Sequence, residues 1–200
     1  MNKIITIGRE FGSGGREFGR RLAEELGFEY YDKEIITAIA EKTSMSQEYV
    51  QEILEGKPHH LFPITIAQSM FITDTYYIQQ EQSIYFAQCE IIRDLAQKSN
   101  CVIVGRCADF ILKDLKPFRI FVYADIESRI KRCIERNSDS QNHLSEKEIK
   151  KQILSIDKNR AKYYNFYTGN KWGDKSNYDL CINTTGFTIK EIVPVIAKIF

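Results

Sequence analysis

A glycine-rich loop near the start of the chain carries the strongest chemical signal in the sequence. The segment Gly12–Arg16 follows an apolar run, Ile4–Ile7, and leads directly into an amphipathic pattern. A strand, a glycine-rich turn and a helix N-terminus in this order are typical of phosphate binding, because backbone amides at the turn can point at an anion. Glycine permits the backbone angles that such a turn needs. The predicted phosphate-binding residues are Gly12, Ser13, Gly14, Gly15 and Arg16; the alternative is an ordinary tight turn.

The loop departs from the common phosphate-loop pattern G-x-x-x-x-G-K-[ST] at its two most chemical positions. Alignment on Gly12–Gly14 places Gly15 where the pattern has lysine, and the next position, where the pattern has a hydroxyl residue, is Arg16. Arg16 can supply positive charge, although its planar guanidinium differs from a compact ammonium group. Two interpretations of Arg16 therefore stay open, namely contact with phosphate and solvation of the first helical turn.

Two further charged residues follow apolar runs that read as buried strands. Asp32 comes directly after Phe28–Tyr31, and Arg106 comes after Cys101–Val104 and one glycine. Ligands of parallel α/β sheets bind beyond the carboxyl ends of the strands, so we expect Arg106 to face that crevice. Asp32 has two interpretations: it binds the ligand or a metal-bound water, or it caps the next helix, which contributes about 1 kcal/mol.

Alternating strand and helix patterns position these residues. The predicted strands are Lys3–Ile7, Phe28–Tyr31, Cys101–Val104, Arg119–Tyr123 and Tyr178–Asn183. Amphipathic spacing predicts helices after the glycine loop, over Lys33–Lys42, from Ser44 to about Leu54, over Thr75–Lys98, over Ile126–Arg136, from Ser145 to about Tyr163 and from Thr188 onward. Strands that alternate with helices predict a parallel sheet covered on both faces. The segments Gly56–Thr65, Asn137–Asn142 and Tyr164–Asn177 read as loops.

Composition narrows the function classes. The chain has 200 residues, about one domain, and a formal net charge of +1, which argues against general binding to nucleic acid. It contains no apolar run near the roughly 20 residues that span a bilayer, and its start lacks a leader pattern. Five cysteines without C-x-x-C spacing fit a reducing compartment. We therefore expect a cytoplasmic protein with neither nucleic acid nor membrane as a partner.

Segments distributed over nearly the whole chain together resemble the cytidylate kinase-like branch of the P-loop nucleoside monophosphate kinases. The resembling segments are Ile4–Gly15, Phe28–Asp32, Val102–Arg106, Ile120–Ala124, Asp157–Arg160 and Tyr178–Asn183. Beyond the phosphate loop, the sequence departs from the family at Cys107, where a Gly-Arg-Asp motif would have aspartate, and near Ala38, where an arginine is expected.

The resemblance implies a three-layer α/β/α P-loop kinase fold with a five-stranded parallel sheet. It further implies one domain over residues 1–200, with a core of residues 1–32, 76–136 and 178–200. A helical acceptor-binding insertion would occupy residues 33–75, and a lid would occupy residues 137–173. The Gly56–Thr65 connection and the long helix after it could form a homodimer surface.

The implied activity is Mg²⁺-dependent transfer of the ATP γ-phosphoryl group to a small acceptor, with CMP favoured. Asp32 and Arg106 would place the acceptor. The expected catalytic cations are Arg16, Arg132, Arg136, Lys158 and Arg160; the sequence does not indicate the metal ligands. One alternative is a non-catalytic nucleotide or phosphometabolite-binding regulatory module that lost the lysine. Another is a kinase for a different acceptor.

Two features of the lid region have competing interpretations. Arg129 lies on the polar face of the Ile126–Arg136 pattern and is expected to be solvated. An aromatic group could stack on a nucleotide base or form a satellite core or dimer contact. Its members are Tyr163, Tyr164, Phe166, Tyr167 and Trp172.

Overall fold

A computed structural model of the chain describes residues 2–55, 71–137 and 144–200. The predicted connection Gly56–Thr65 lies outside these residues, as does the Asn137–Asn142 segment beyond its first residue. Within the described ranges, none of the helices combines the length and apolar character needed to cross a bilayer.

Five parallel strands form one sheet in the order β2-β3-β1-β4-β5. The strands are β1 (Ile4–Arg9), β2 (Glu29–Tyr31), β3 (Cys101–Val104), β4 (Phe118–Tyr123) and β5 (Leu180–Asn183). All five predicted strands are confirmed, with shifts of up to two residues at their ends. Since all strands run the same way, their carboxyl ends, including Arg9, share one edge of the sheet.

Eight α-helices connect and cover the strands within the described residues. They are α1 (Gly15–Leu26), α2 (Lys33–Thr43), α3 (Gln47–Glu55), α4 (Phe71–Lys98), α5 (Ala108–Ile111), α6 (Ile126–Asn137), α7 (Glu146–Thr168) and α8 (Ile189–Ala197). Helix α7 begins with a capping box, in which Ser145 and Glu148 satisfy each other's backbone amides.

Successive residues of the central strands point into two separate apolar cores, one on each face of the sheet. Val102 and Val104 pack in the core beneath α1 and α8, whereas Cys101 and Ile103 pack in the core beneath α2, α4 and α7. This burial on both faces explains why the strands read as continuous apolar runs instead of alternating patterns. The predicted doubly covered parallel sheet is confirmed.

The prediction of a loop from Tyr164 onward is wrong for its first five residues, because α7 continues to Thr168. Ile149, Ile153, Tyr164 and Thr168 are all buried on α7, so the apolar stripe runs past Tyr163. Gly169, with a φ of 71°, then ends the helix in the left-handed conformation. The aromatic cluster obscured the helical period in the sequence.

Replacing a core isoleucine should show how strongly the double burial stabilises the sheet. Ile103 is fully buried in β3. Ile103→Ala should lower the free energy of unfolding by about 2–5 kcal/mol, because it removes buried methyl groups and leaves a cavity. The matched change Ile199→Ala, at a side chain that is 54% exposed, should alter it by less than about 0.5 kcal/mol. Chemical denaturation measures both; equal losses would contradict the core assignment.

Candidate active site

The glycine-rich loop joins the carboxyl end of β1 to the N-terminus of α1. Gly12 and Gly14 adopt φ angles of 78° and 84°, and Gly14 is the residue before the first helical turn. The first backbone amides of a helix have no partner within it, and the helix dipole makes that end partly positive. The loop therefore presents amide donors at the edge of the sheet where ligands bind.

The hydroxyl of Ser13 closes the turn from inside. Ser13 is fully buried; its Oγ donates to the Glu10 carbonyl at 2.8 Å and accepts from the Gly15 amide at 3.4 Å. The side chain thus braces the loop and does not face a ligand. Of the predicted phosphate-binding residues, Ser13 contributes loop shape, while the glycines and Arg16 border open space.

A buried arginine on α6 fixes the loop, contrary to the expectation that Arg129 is solvated. The Arg129 Nε donates to the Phe11 carbonyl at 2.8 Å, and its Nη atoms pair with Glu10, at 3.1 Å, and with Asp157 on α7. Asp157 also accepts from the Phe11 amide at 2.8 Å. The prediction for Arg129 is wrong because two carboxylates from distant parts of the chain neutralise its charge.

We call Glu10, Arg129 and Asp157 the brace. Burial changes the pKa of its two carboxylates. Desolvation raises the pKa of both Glu10 and Asp157 above their usual range, opposed by the charge of Arg129. Their ionised forms therefore depend on Arg129, which is itself 6% exposed. An isolated charge in such a place costs several kcal/mol.

Removal of the Arg129 guanidinium should unsettle the loop and the fold together. Arg129→Met leaves Glu10 and Asp157 buried without their cation, so we expect the free energy of unfolding to fall by about 3–5 kcal/mol. Lys131→Met, at an exposed position of the same helix, is the matched control and should change little. Denaturant unfolding at neutral pH measures both. An Arg129→Met variant as stable as the control would show that the brace is dispensable.

A cleft of about 380 Å³ opens in front of the loop. Its walls combine Gly12, Gly14 and Gly15 with polar side chains from α2, α3, α6 and α7. The cations that line it are Arg9, Arg16, Lys33, Arg136 and Arg160. We call this space the phosphate cleft. Its concentration of positive charge at a helix N-terminus suits a polyanion.

Arg16 and Asp32 meet at the rim of the phosphate cleft. The Arg16 Nε lies 2.6 Å from Asp32 Oδ2, with Arg16 half exposed and Asp32 buried. Asp32 precedes α2 but makes no capping hydrogen bond, so its predicted role as a helix cap is wrong. Among the described residues Asp32 Oδ1 accepts no hydrogen bond. That buried oxygen is open to a hydroxyl group or to a cation.

The other predicted cations fall into two groups. Arg136 and Arg160 line the phosphate cleft; Arg136 also pairs with Glu17 at 3.2 Å, and Arg160 lies over the Phe11 ring at 5.5 Å. Arg132 instead donates to the carbonyls of Thr184 and Phe187, and Lys158 is exposed. The structure does not bring Arg132 and Lys158 into the cleft, because their helix faces point away from it.

A small inner chamber of about 50 Å³ lies next to the phosphate cleft and shares Arg9 and Arg160 with it. Arg106 borders this chamber, buried and with a left-handed φ of 58°. The expectation that Arg106 faces the crevice therefore agrees with its position. The chamber is also lined by Asp109 and by four aromatic side chains, Tyr163, Tyr164, Trp172 and Tyr178.

The aromatic group of α7 packs inside the protein. Tyr163 and Tyr164 are buried in the core that includes α4, and Tyr167 stacks on Tyr85 with ring centroids 4.0 Å apart. Trp172 meets Phe121 edge to face at 5.4 Å. Of the two interpretations, the structure favours a core over base stacking. Phe166, 46% exposed, is the exception.

Asp109 lines the inner chamber and accepts a hydrogen bond from the Tyr164 hydroxyl at 2.6 Å. Desolvation by burial raises the pKa of Asp109 above its usual range, although that bond opposes the shift. A carboxyl group whose pKa is higher in the folded protein binds more protons there than in the unfolded chain. Its contribution therefore destabilises the fold as pH rises.

Asp109→Asn should make the pH dependence of this group visible. The amide keeps an acceptor for Tyr164 but carries no charge, so its advantage over wild type should be absent below about pH 4 and should grow as pH rises to 7. The difference in unfolding free energy between the two proteins, measured across that range, is the readout. A difference that stays flat or shrinks with pH would contradict the raised pKa.

The fit of a metal ion depends on Asp32. Across the described residues, no group of three or more His, Cys, Asp or Glu side chains could hold a metal ion. Mg²⁺ in phosphate sites, however, commonly takes one or two carboxylates, waters and the phosphates themselves. Asp32 Oδ1, which accepts no hydrogen bond among the described residues and lies 3.9 Å from Arg9 Nη2, fits that pattern.

A phosphate-loop geometry on a five-stranded parallel sheet defines the P-loop kinase fold class, and comparisons with known proteins agree. The sequence model of the cytidylate kinase-like family matches residues 4–186. The chain is 30% identical over 183 residues to the cytidylate kinase of Thermococcus kodakarensis, covering 90% of this chain and 79% of that protein. It is 25% identical to the cytidylate kinase of Methanopyrus kandleri, covering 98% and 92%.

Solved structures show the same fold. An uncharacterized protein from Eubacterium ventriosum superposes with a TM-score of 0.68 at 30% identity, over 99% of this chain and 98% of the other. Shikimate kinase from Bacteroides thetaiotaomicron gives a TM-score of 0.56 at 15% identity, over 98% and 97%. The chain belongs to the cytidylate kinase-like family, and this membership supports phosphoryl transfer in general terms.

Three residues of the site were not predicted from the sequence. Arg9 and Lys33 line the phosphate cleft, and Arg129 fixes its loop. Arg9 and Lys33 each stand at the junction of an element with the carboxyl edge of the sheet, which is a usable sequence signal. Arg129 offers none, since it looks like any other charge on a helix.

Proposed function

We propose that the protein transfers the γ-phosphoryl group of ATP to a small acceptor, a nucleoside monophosphate such as CMP, with Mg²⁺. The observation that carries the proposal is the phosphate cleft, in which a helix N-terminus, a glycine loop and five cationic side chains face the same space. Family membership supports the reaction class. The names of the cytidylate kinase relatives support CMP.

The donor phosphates belong at the loop. The amides around Gly12 and Gly14 donate hydrogen bonds to phosphate oxygens, and Arg16 approaches from the rim. Ser13 keeps the turn closed from behind. Because the loop is held by Arg129, Glu10 and Asp157 before any ligand arrives, the donors need no reorganisation when charge develops.

The acceptor belongs between Asp32 and Arg106, on the β3 side of the loop. Arg106 supplies a buried positive charge for an acceptor phosphate. Asp32 Oδ1, which accepts no hydrogen bond among the described residues, can accept from a hydroxyl group or coordinate Mg²⁺. Mg²⁺ held by Asp32 and the phosphates would offset the negative charge of the phosphate oxygens. The chain's own residues align donor and acceptor for in-line transfer.

Phosphoryl transfer asks for stabilisation of charge on the transferred oxygens. Arg136 and Arg160 already border the cleft and can supply it. Arg132 and Lys158 would help to stabilise this charge only if a movement of the lid turned them toward the ligand, as happens in enzymes with closing lids.

A coupled assay of ADP release from Mg²⁺-ATP, run against a panel of monophosphates, tests the proposal. Turnover highest with CMP is the expected result. Turnover with another acceptor would retain the kinase and replace CMP. ATP binding without turnover would favour the nucleotide-binding regulatory module, an alternative suggested by glycine at position 15 where the usual pattern has lysine. Absence of both binding and turnover would refute both.

Arg16 provides a sharper test of the donor site. Arg16→Met removes a cation at the rim of the phosphate cleft, so the affinity for Mg²⁺-ATP should fall about 10-fold or more, as expected for loss of a charge-assisted contact. Arg20→Met, on the same helix but outside the cleft, should bind like wild type. Calorimetric titration with Mg²⁺-ATP compares them. Equal affinity of both variants would place Arg16 outside the donor site.

A further inference from the structure

Arg9 is a buried cation of the phosphate cleft that has no individual role in the proposed reaction. It ends β1 and is 9% exposed. Within the described part of the chain, its guanidinium has one ion-pair contact, Asp32 Oδ1 at 3.9 Å, beyond hydrogen-bond distance. Desolvation, together with the charges of Arg160 and Arg106, lowers the pKa of Arg9 to about 9. The group stays cationic at neutral pH and is only partly neutralised.

The aliphatic part of Arg9 occupies the space that a side chain at position 15 would need. A Cβ built on Gly15 would lie 2.5 Å from the Arg9 Cβ and 3.1 Å from its Cγ. Real Cβ atoms essentially never approach another atom below 3.0 Å. A lysine at position 15 and an arginine at position 9 are therefore incompatible on this backbone.

The two positions correspond to paired sites of the common phosphate-loop pattern. When Gly15 is placed at the lysine of G-x-x-x-x-G-K, Arg9 falls on the first glycine. The usual pattern thus has glycine where this chain has a cation, and a cation where this chain has glycine. The steric conflict gives the exchange a physical reason, since either side chain excludes the other.

A second glycine makes room for the guanidinium itself. A Cβ on Gly105, directly after β3, would lie 1.6 Å from Arg9 Nη1. The head of Arg9 therefore lies between the ends of β1 and β3. There it borders both the phosphate cleft and the inner chamber that Arg106 lines. This is the position between the proposed donor and acceptor phosphates.

We propose that Arg9 is the phosphate-binding cation of this site and replaces, from the opposite side of the loop, the lysine missing at position 15. The inference rests on the proposed function for the identity of the anion. The planar guanidinium fork can bind two neighbouring oxygens in parallel, whereas an ammonium group acts as a point charge with rotatable donors. The absence of a Cβ at Gly15 and Gly105 leaves the space that Arg9 occupies. The expected ligand is a polyphosphate that offers neighbouring oxygens, such as the β- and γ-phosphates of ATP.

A reciprocal exchange tests this assignment. Arg9→Met should weaken binding of Mg²⁺-ATP about 10- to 100-fold. Gly15→Lys alone should also lose binding, because the new side chain collides with Arg9. The double variant Arg9→Gly/Gly15→Lys removes the collision and restores the common pattern, so it should bind more tightly than either single variant. Calorimetric titration measures affinity, and circular dichroism with thermal unfolding verifies that each variant is folded.

Parallel titrations with inorganic triphosphate separate this inference from the proposed function. Wild type that binds triphosphate through Arg9 but fails to bind ATP would refute the nucleotide donor and retain Arg9 as the phosphate cation. Wild type that binds ATP, together with a folded Arg9→Met variant of equal affinity, would refute Arg9 alone. A double variant no better than both folded single variants would likewise refute the exchange. If wild type binds neither probe, both proposals fail.

Discussion

The buried ion pairs of Arg129 hold together three elements that the sequence keeps far apart. Glu10 belongs to the glycine loop, Arg129 to α6 and Asp157 to α7, and their contacts enclose the backbone of Phe11 from both sides. Each of these charges would be costly to bury alone. Because these charges neutralise one another, they hold the loop in one conformation. That conformation sets the positions of all loop atoms that would contact a bound phosphate.

The buried cation of the phosphate cleft, Arg9, is less fully neutralised than Arg129. Arg129 has two carboxylates within ion-pair distance, whereas buried Arg9 has one, at 3.9 Å. Arg16 shares that same carboxylate. The brace is thus balanced, and the cleft retains surplus positive charge. A purely structural cluster would have no reason to keep such a surplus, since unpaired buried charge lowers stability; a site that receives an anion does.

The sheet and the loop were predictable because their signals are local. A buried parallel strand such as Cys101–Val104 is a continuous apolar run, and the glycine turn follows its strand directly. The partners of Arg129 were not predictable in this way. They lie 119 and 28 positions away, and pairing across such separations leaves no periodic trace in one sequence. Arg9 was not predictable for another reason, since its role depends on its close approach to Gly15 and Gly105, which the sequence does not show.

Helix α7 spans three environments, and this restricts how a lid built on it can move. Asp157 holds the Phe11 amide, Arg160 donates to the Arg9 carbonyl at 3.3 Å, and Tyr163 and Tyr164 are embedded in the core. A rigid-body movement of the whole of α7 would break all of these contacts at once. A lid movement that preserves these contacts is confined to the turns of α7 before Asp157, so turning Lys158 toward the cleft would require some of them to break.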